Sequence, residues 1–195
     1  MAKFKDDIRV EEKYNMGGGG NWMNLAEGDN RIKIVSEFAE YGQHYNTIMK
    51  RGIVCIGKEK RCEMCNQGDR PRVQFLLWVI DRADSKLKIL RIGYQIYKQL
   101  RNFSTTKGYE FDIVPDYDIL IKRSGKGLDT EYAIIPMRDS TPLTNKEKLQ
   151  VADETTSLED IIEKMKKKIK VDVSSEQDSE IPIVEDDINQ DEIPF

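Results

Sequence analysis

Val73-Gln74-Phe75-Leu76-Leu77-Trp78-Val79-Ile80 is the strongest strand signal in the chain. It is short, rich in β-branched and aromatic residues, and followed by turn chemistry from Asp81 to Lys86. A second apolar run, Leu87 to Ile92, then returns, so the pair reads as a hairpin. With period two, one face of the first strand carries Val73, Phe75, Leu77 and Val79. The other carries Gln74, Leu76, Trp78 and Ile80. That second face is less uniformly apolar, so Trp78 reads equally as core or as a ring offered to a ligand.

Upstream, Glu27-Gly28-Asp29-Asn30 is a turn, and Arg31-Ile32-Lys33-Ile34-Val35 alternates as a strand. Gln43 to Lys50 is a weaker strand, and Gly52 to Gly68 reads as a loop rich in cysteine and charge. Downstream, Ile96, Leu100 and Phe103 fall on one helical face. Strands Tyr117 to Lys122 and Glu131 to Pro136 follow, joined by Ser124-Gly125-Lys126-Gly127. The order is strand, insertion, strand, strand, helix, strand, strand. It predicts a mainly β protein, a five-stranded OB barrel over 22–140, with an insertion at about 43–70 that includes the weak strand.

The flanks differ from this body. Residues 1–21 are polar and contain Gly17-Gly18-Gly19-Gly20, which predicts a flexible arm. Residues 141–171 predict a linker and one amphipathic helix. Thr156-Ser157-Leu158-Glu159 has capping-box spacing, Leu158, Ile161, Ile162, Met165 and Ile169 form a stripe, and acids precede lysines. Residues 172–195 are acidic and sparse in large apolar side chains, which predicts a disordered tail.

Composition narrows the classes. Of 195 residues, 38% are hydrophobic and 34% charged, enough for a core over part of the length. No apolar run reaches the roughly 18 residues of a membrane span. Met1 to Asp7 lacks the apolar region of a secretory signal. Three cysteines are an odd number, which disfavours a disulfide framework and suits a reducing, intracellular setting.

The net charge of −4 conceals a split. Nine acids and no lysine or arginine lie between Val171 and Phe195, leaving the other 170 residues with a net of +5. Between Arg31 and Arg138 the balance is 20 basic residues against 13 acidic. A basic body with an acidic tail suits a nucleic-acid binder, and equally a soluble protein with a solvating tail.

His44, the sole histidine, and Cys55, Cys62 and Cys65, the only cysteines, fall within 22 residues. Cys62-Glu63-Met64-Cys65 can present two thiolates to one ion, and a third cysteine and a histidine complete a tetrahedron. The metal expected is one Zn2+, structural because four protein ligands leave no position for water. A redox pair normally opens a helix after a strand, which this loop does not. A zinc deaminase needs His-x-Glu and Pro-Cys-x-x-Cys. Here Tyr45-Asn46 follows His44 and Arg61 precedes Cys62, so that catalytic glutamate is missing. No acid/base pair, nucleophile-base pair or phosphate loop is evident, and Gly17 to Gly20 lacks a following Gly-Lys-Ser/Thr. The chain is not expected to be an enzyme.

Single strands are held by cations for phosphates and by aromatic faces for bases. The candidates are Arg31, Lys33, Tyr45, Lys50, Arg51, Arg72, Trp78, Arg82, Lys122 and Arg123. Any one of them is also ordinary surface or core.

These residues resemble single-stranded DNA-binding proteins of tailed bacteriophages. The likeness rests on Trp22, Glu27-Gly28-Asp29-Asn30-Arg31-Ile32, a histidine, Cys-x-x-Cys, and a strand ending in Val79-Ile80-Asp81-Arg82, over roughly 20–136. It implies an OB fold with a His44, Cys55, Cys62, Cys65 zinc subdomain. It also implies non-specific binding of single strands in replication, recombination and repair, inside an infected bacterial host. Residues 1–21 hold no match to the basic Lys/Arg-Ser/Thr motif through which some relatives polymerise. Asp191-Glu192-Ile193-Pro194-Phe195 resembles the partner-binding tip of bacterial single-stranded DNA-binding proteins, with Glu192 where Asp is usual. It implies recruitment of replication and recombination proteins: an apolar anchor, a stiffening proline and acids for a basic rim. The competing expectation is a zinc-containing protein-interaction adaptor for which DNA contact is incidental.

Overall fold

A computed structural model describes residues 21–48 and 50–175. The strands are β1 (Trp22–Met23), β2 (Gly28–Asn46), β3 (Arg51–Val54), β4 (Arg72–Asp81), β5 (Lys86–Gly93), β6 (Asp118–Ser124) and β7 (Glu131–Met137). The helices are α1 (Glu63–Asn66), α2 (Tyr94–Ser104), α3 (Asn145–Asp153) and α4 (Leu158–Ser175). All strands belong to one sheet of order β1-β5-β4-β2-β6-β7, with β3 pairing β2 off that path.

β2 is the spine of this sheet. Its first residues, Gly28 to Ile32, pair antiparallel with β6, and Ile32 to Gln43 pair with β4. The register slips between Ile34 and Phe38, a bulge that lets one strand bend from the first partner to the second. The β4–β5 hairpin runs from Asp81↔Lys86 to Gln74↔Gly93. No pairing between β5 and β7 closes the curl among the described residues. α2 packs beside both strands, and the Gln99 amide stands in for the missing strand. Its Nε2 donates to the Tyr132 carbonyl at 3.0 Å, and its Oε1 accepts from the Ile134 N–H at 3.1 Å.

Both faces of β4 are buried, because each is covered by a different helix. Phe75, Leu77 and Val79 point into a cluster with Ile32, Leu90, Ile92, Ile119 and Ile121, capped by Ile96 and Leu100 of α2. Leu76, Trp78 and Ile80 point the other way, against Leu87, Ile89, and Leu158 and Ile162 of α4. Each such aliphatic side chain contributes about 1.5–3 kcal/mol by leaving water.

Several expectations are corrected. Among the described residues the sheet holds seven strands, the five expected plus β1 and β3, and it is an open curl. Gln43 to Lys50 is no separate strand: 43–46 finishes β2, and Lys50 lies in a turn at φ 49°. The expected loop after Gly52 contains the end of β3 and the one-turn α1. The linker holds an unexpected helix, α3, with its capping box at Thr144 and Glu147. For α4 the cap is Ser157, whose Oγ accepts from the Asp160 N–H at 3.0 Å, rather than Thr156. α4 also runs to Ser175, so its lysines fall short of the last turn. Among the described residues no helix is long and apolar enough to cross a membrane.

Candidate functional site

The far end of β2 pairs with β3 as a hairpin, His44 opposite Ile53 and Tyr45 opposite Gly52. This register brings Cys55 back beside His44. The Cys55 N–H donates to the Gly42 carbonyl at 2.8 Å. Gly42 lets the strands approach closely: a Cβ would stand 3.0 Å from Cβ of Pro71 and 3.2 Å from Cβ of Cys55, so either neighbour would have to give by a few tenths of an ångström. Arg61, in the left-handed region at φ 59°, turns the chain into α1, so that Cys62 caps the helix and Cys65 sits within it.

The four side chains converge. His44 Nε2 lies 3.5 Å from Sγ of Cys62 and 3.3 Å from Sγ of Cys65. Sγ of Cys55 lies 3.4 Å from that of Cys65 and 3.9 Å from that of Cys62. All four ligand atoms fall within 4.8 Å of one another. A tetrahedral zinc with bonds of about 2.3 Å to sulfur and 2.0–2.1 Å to nitrogen needs separations of roughly 3.5–3.8 Å. The residues therefore fit one ion.

The donor chemistry agrees. Burial works against ionising the Cys62 thiol, but hydrogen bonds from the Cys65 and Ile56 amides and the neighbouring thiols outweigh it and bring its pKa down to about 7. Burial, then the two neighbouring cysteines, push Cys65 up to about 12. Thiolates crowded this closely repel one another, and a shared divalent cation offsets that repulsion. The Gly57 N–H adds a hydrogen bond to Sγ of Cys55 at 3.3 Å.

One member of the site escaped the sequence reading. Asp69 Oδ2 stands 2.7 Å from Nδ1 of His44, the ring nitrogen facing away from the sulfurs. Carboxylates in this position fix the tautomer of a ligating histidine. The only sequence signal was an acid just beyond the Cys-x-x-Cys turn, next to Gly68.

The basic and aromatic candidates separate into three groups. Arg31, Lys33 and Arg82 turn inward. Asp118, fully buried, accepts from Nε of Arg31 at 2.9 Å and from the Arg82 guanidinium at 3.0 Å. Arg82 also pairs with Glu147 at 3.0 Å. Lys33 is buried with its ammonium on the Asp116 carbonyl, and burial lowers its pKa. Trp78, 8% exposed, packs in the core under α4 and borders a cleft lined by Phe38, Leu87 and Glu159. The second group, Tyr45, Lys50, Arg51 and Arg72, sits on or beside the metal hairpin, with Tyr45 56% exposed. The third, Lys122 and Arg123, pairs with the opposite end of β2 at Asp29 and Gly28. Arg123 donates to the Leu25 carbonyl at 3.2 Å. The structure does not gather the ten into one patch. Asp191, Glu192, Ile193, Pro194 and Phe195 lie outside the described residues.

Fold and site together define a small, mainly β protein with a His/Cys3 cluster on a strand hairpin that could hold one metal ion. The chain is similar to a probable ssDNA-binding protein of Escherichia phage T5, 37% identical over 65 residues. That match covers 33% of this chain and 24% of the phage protein, so the likeness spans about a quarter of the relative. No protein-family model matches the chain, and no solved structure matches it.

Proposed function

We propose that this chain is a non-enzymatic single-stranded DNA-binding protein built on an OB-type barrel. The observation that carries the reading is the 65-residue likeness to the probable ssDNA-binding protein of phage T5. The strand connectivity supports it. Leaving β1 and β3 aside, the strands follow the OB order, with a long bent first strand shared by two partners and a helix between the third and fourth.

His44, Cys55, Cys62 and Cys65 hold one structural zinc in this reading. It ties the far end of β2 to Cys55 just after β3 and to the one-turn α1, a hairpin and a turn with little apolar core between them. The hairpin cations Lys50, Arg51 and Arg72 then neutralise phosphates, and binding is non-specific because phosphates carry no sequence information. The chain coats and protects single strands during replication, recombination and repair, within the infected cell. The acidic segment with Asp191-Glu192-Ile193-Pro194-Phe195 recruits partner proteins.

Binding of a labelled oligo-dT strand over a salt series tests this. Affinity should fall as salt rises, with a log–log slope of several units if several phosphates are contacted. Duplex of equal length should bind more weakly. Equal affinity for both, or no binding to either, rejects the reading.

A further inference from the structure

One aromatic patch of the described surface belongs to neither the metal cluster nor a closed core. It lies where α2 crosses the bent part of β2. Phe38, the first residue past the bulge, is 49% exposed although it shares a face with buried Leu77. Its ring meets Phe75 edge-on at 5.4 Å and Tyr97 at 5.1 Å. Tyr97 stacks on Phe75 at 4.0 Å, and Tyr94, 54% exposed, extends the row at 6.2 Å.

α2 carries two stripes. Ile96, Leu100 and Phe103 face the core. Tyr94, Tyr97, Lys98 and Arg101, at i, i+3, i+4 and i+7, share the other side. Lys98 and Arg101 have no ion-pair partner among the described residues. Beside the rings opens a cleft of about 190 Å³, lined by Phe38, Tyr97, Phe111, Ile113 and Asp112, with Arg101 among them.

Resting on the single-strand reading above, we propose that unpaired bases stack on Phe38 and Tyr94, while Lys98 and Arg101 hold the adjoining phosphates. Exposed rings are costly in water and every base has a face to cover them, whereas bases locked in a duplex do not. The charges also select an orientation. Glu40, opposite Phe75, repels phosphate, and in the cleft Asp112 offsets Arg101, so the base turns inward and the backbone stays on the Lys98 side of α2. The opposite face of β4 and β5 packs against α4, and the cleft left beside it carries Glu37, Glu154 and Glu159, whose charge repels phosphate, which favours the face beside the bulge for the strand.

The test uses the full chain and oligo-dT. Tyr94→Ala and Phe38→Ala should each weaken binding roughly 10-fold or more, with melting temperature unchanged for Tyr94→Ala. Phe38 touches Phe75 and Tyr97, so Phe38→Leu serves as the milder variant. Photocrosslinking of the parent chain to an iododeoxyuridine oligonucleotide reads the site without substitution and should label peptides with Phe38, Tyr94 or Tyr97. If the parent chain binds but the variants bind equally well and the adducts map elsewhere, the patch is wrong and the single-strand reading stands. If the parent chain does not bind, both fail. Binding of a protein at the patch with no oligonucleotide adduct there also overturns the proposal.

Discussion

The Nδ1 atom of His44 and the Oδ2 atom of Asp69 are 2.7 Å apart, joining the end of β2 to the chain just beyond α1. An ionised carboxylate can only accept, so it favours the tautomer with the proton on Nδ1, which leaves the lone pair of Nε2 on the side of Cys62 and Cys65. This contact orients the ring as a ligating histidine would need to be held.

Asp69→Ala should therefore weaken zinc retention about 10- to 100-fold without removing a ligand. Competition against a chromophoric chelator measures it. The parent chain, freshly purified, should hold one zinc, and stripping it should lower the melting temperature. Unchanged retention in the variant would reduce the contact to a surface ion pair.

The Asp118 network makes a prediction about fold rather than ligand. Its carboxylate is fully buried and shared by Arg31, Arg82 and Ser140. Asp118→Ala should cost about 3–5 kcal/mol, because two guanidinium groups lose their buried counter-charge. Urea denaturation checks this. The same logic gives Arg82→Ala a large stability loss, and any loss of DNA affinity should follow from that.

These arginines show why parts of the site were illegible in sequence. Arg31 meets Asp118 across 87 residues, a partnership that no local pattern reveals. Trp78 was undecidable from β4 alone, since its burial depends on Leu158 and Ile162 of α4. The alternation of β4 and the i, i+4, i+7 spacing in α2 were readable because each element buries a regular face. β2 was not, because the bulge at Ile34 to Phe38 breaks the alternation and splits one strand into two apparent ones. α3 offers little apolar periodicity, but its Thr144-x-x-Glu147 cap was there to be read. The His44, Cys55, Cys62, Cys65 cluster was legible because those residue types are rare in this chain and close in sequence.

Glu147 supplies a pH signature. Burial alone would raise its pKa, but hydrogen bonds from Thr144 and the Arg82 guanidinium outweigh it and hold the carboxyl below the usual 4.5. A carboxyl with a pKa lower when folded than when unfolded contributes stability above the unfolded value, and loses it as pH falls through the folded value. Glu147→Gln should thus destabilise the chain at neutral pH. The gap from the parent should shrink as pH drops below 4.5 in a denaturation series. A gap that does not change with pH would assign the effect to cap geometry instead of charge.

The acidic segment gives the last prediction. Residues 176–195 contain eight acids and no cation, while the body between Arg31 and Arg138 is net positive. Tethered to that body, the segment should act as an intramolecular polyanion that competes with DNA for the same cations. The competition is electrostatic, so it should be strongest at low salt and fade as the Debye length falls below about 8–10 Å. Deleting 176–195 should therefore tighten oligo-dT binding at low salt, with the gain shrinking as salt rises. Phe195→Ala removes no charge and should leave DNA affinity unchanged, yet abolish capture of replication proteins if the Ile193-Pro194-Phe195 stretch is the anchor. Titrations of both variants at two salt concentrations, with a pull-down on each, separate the two roles. No tightening at low salt ends the competition idea, and capture that survives Phe195→Ala ends the anchor idea on its own.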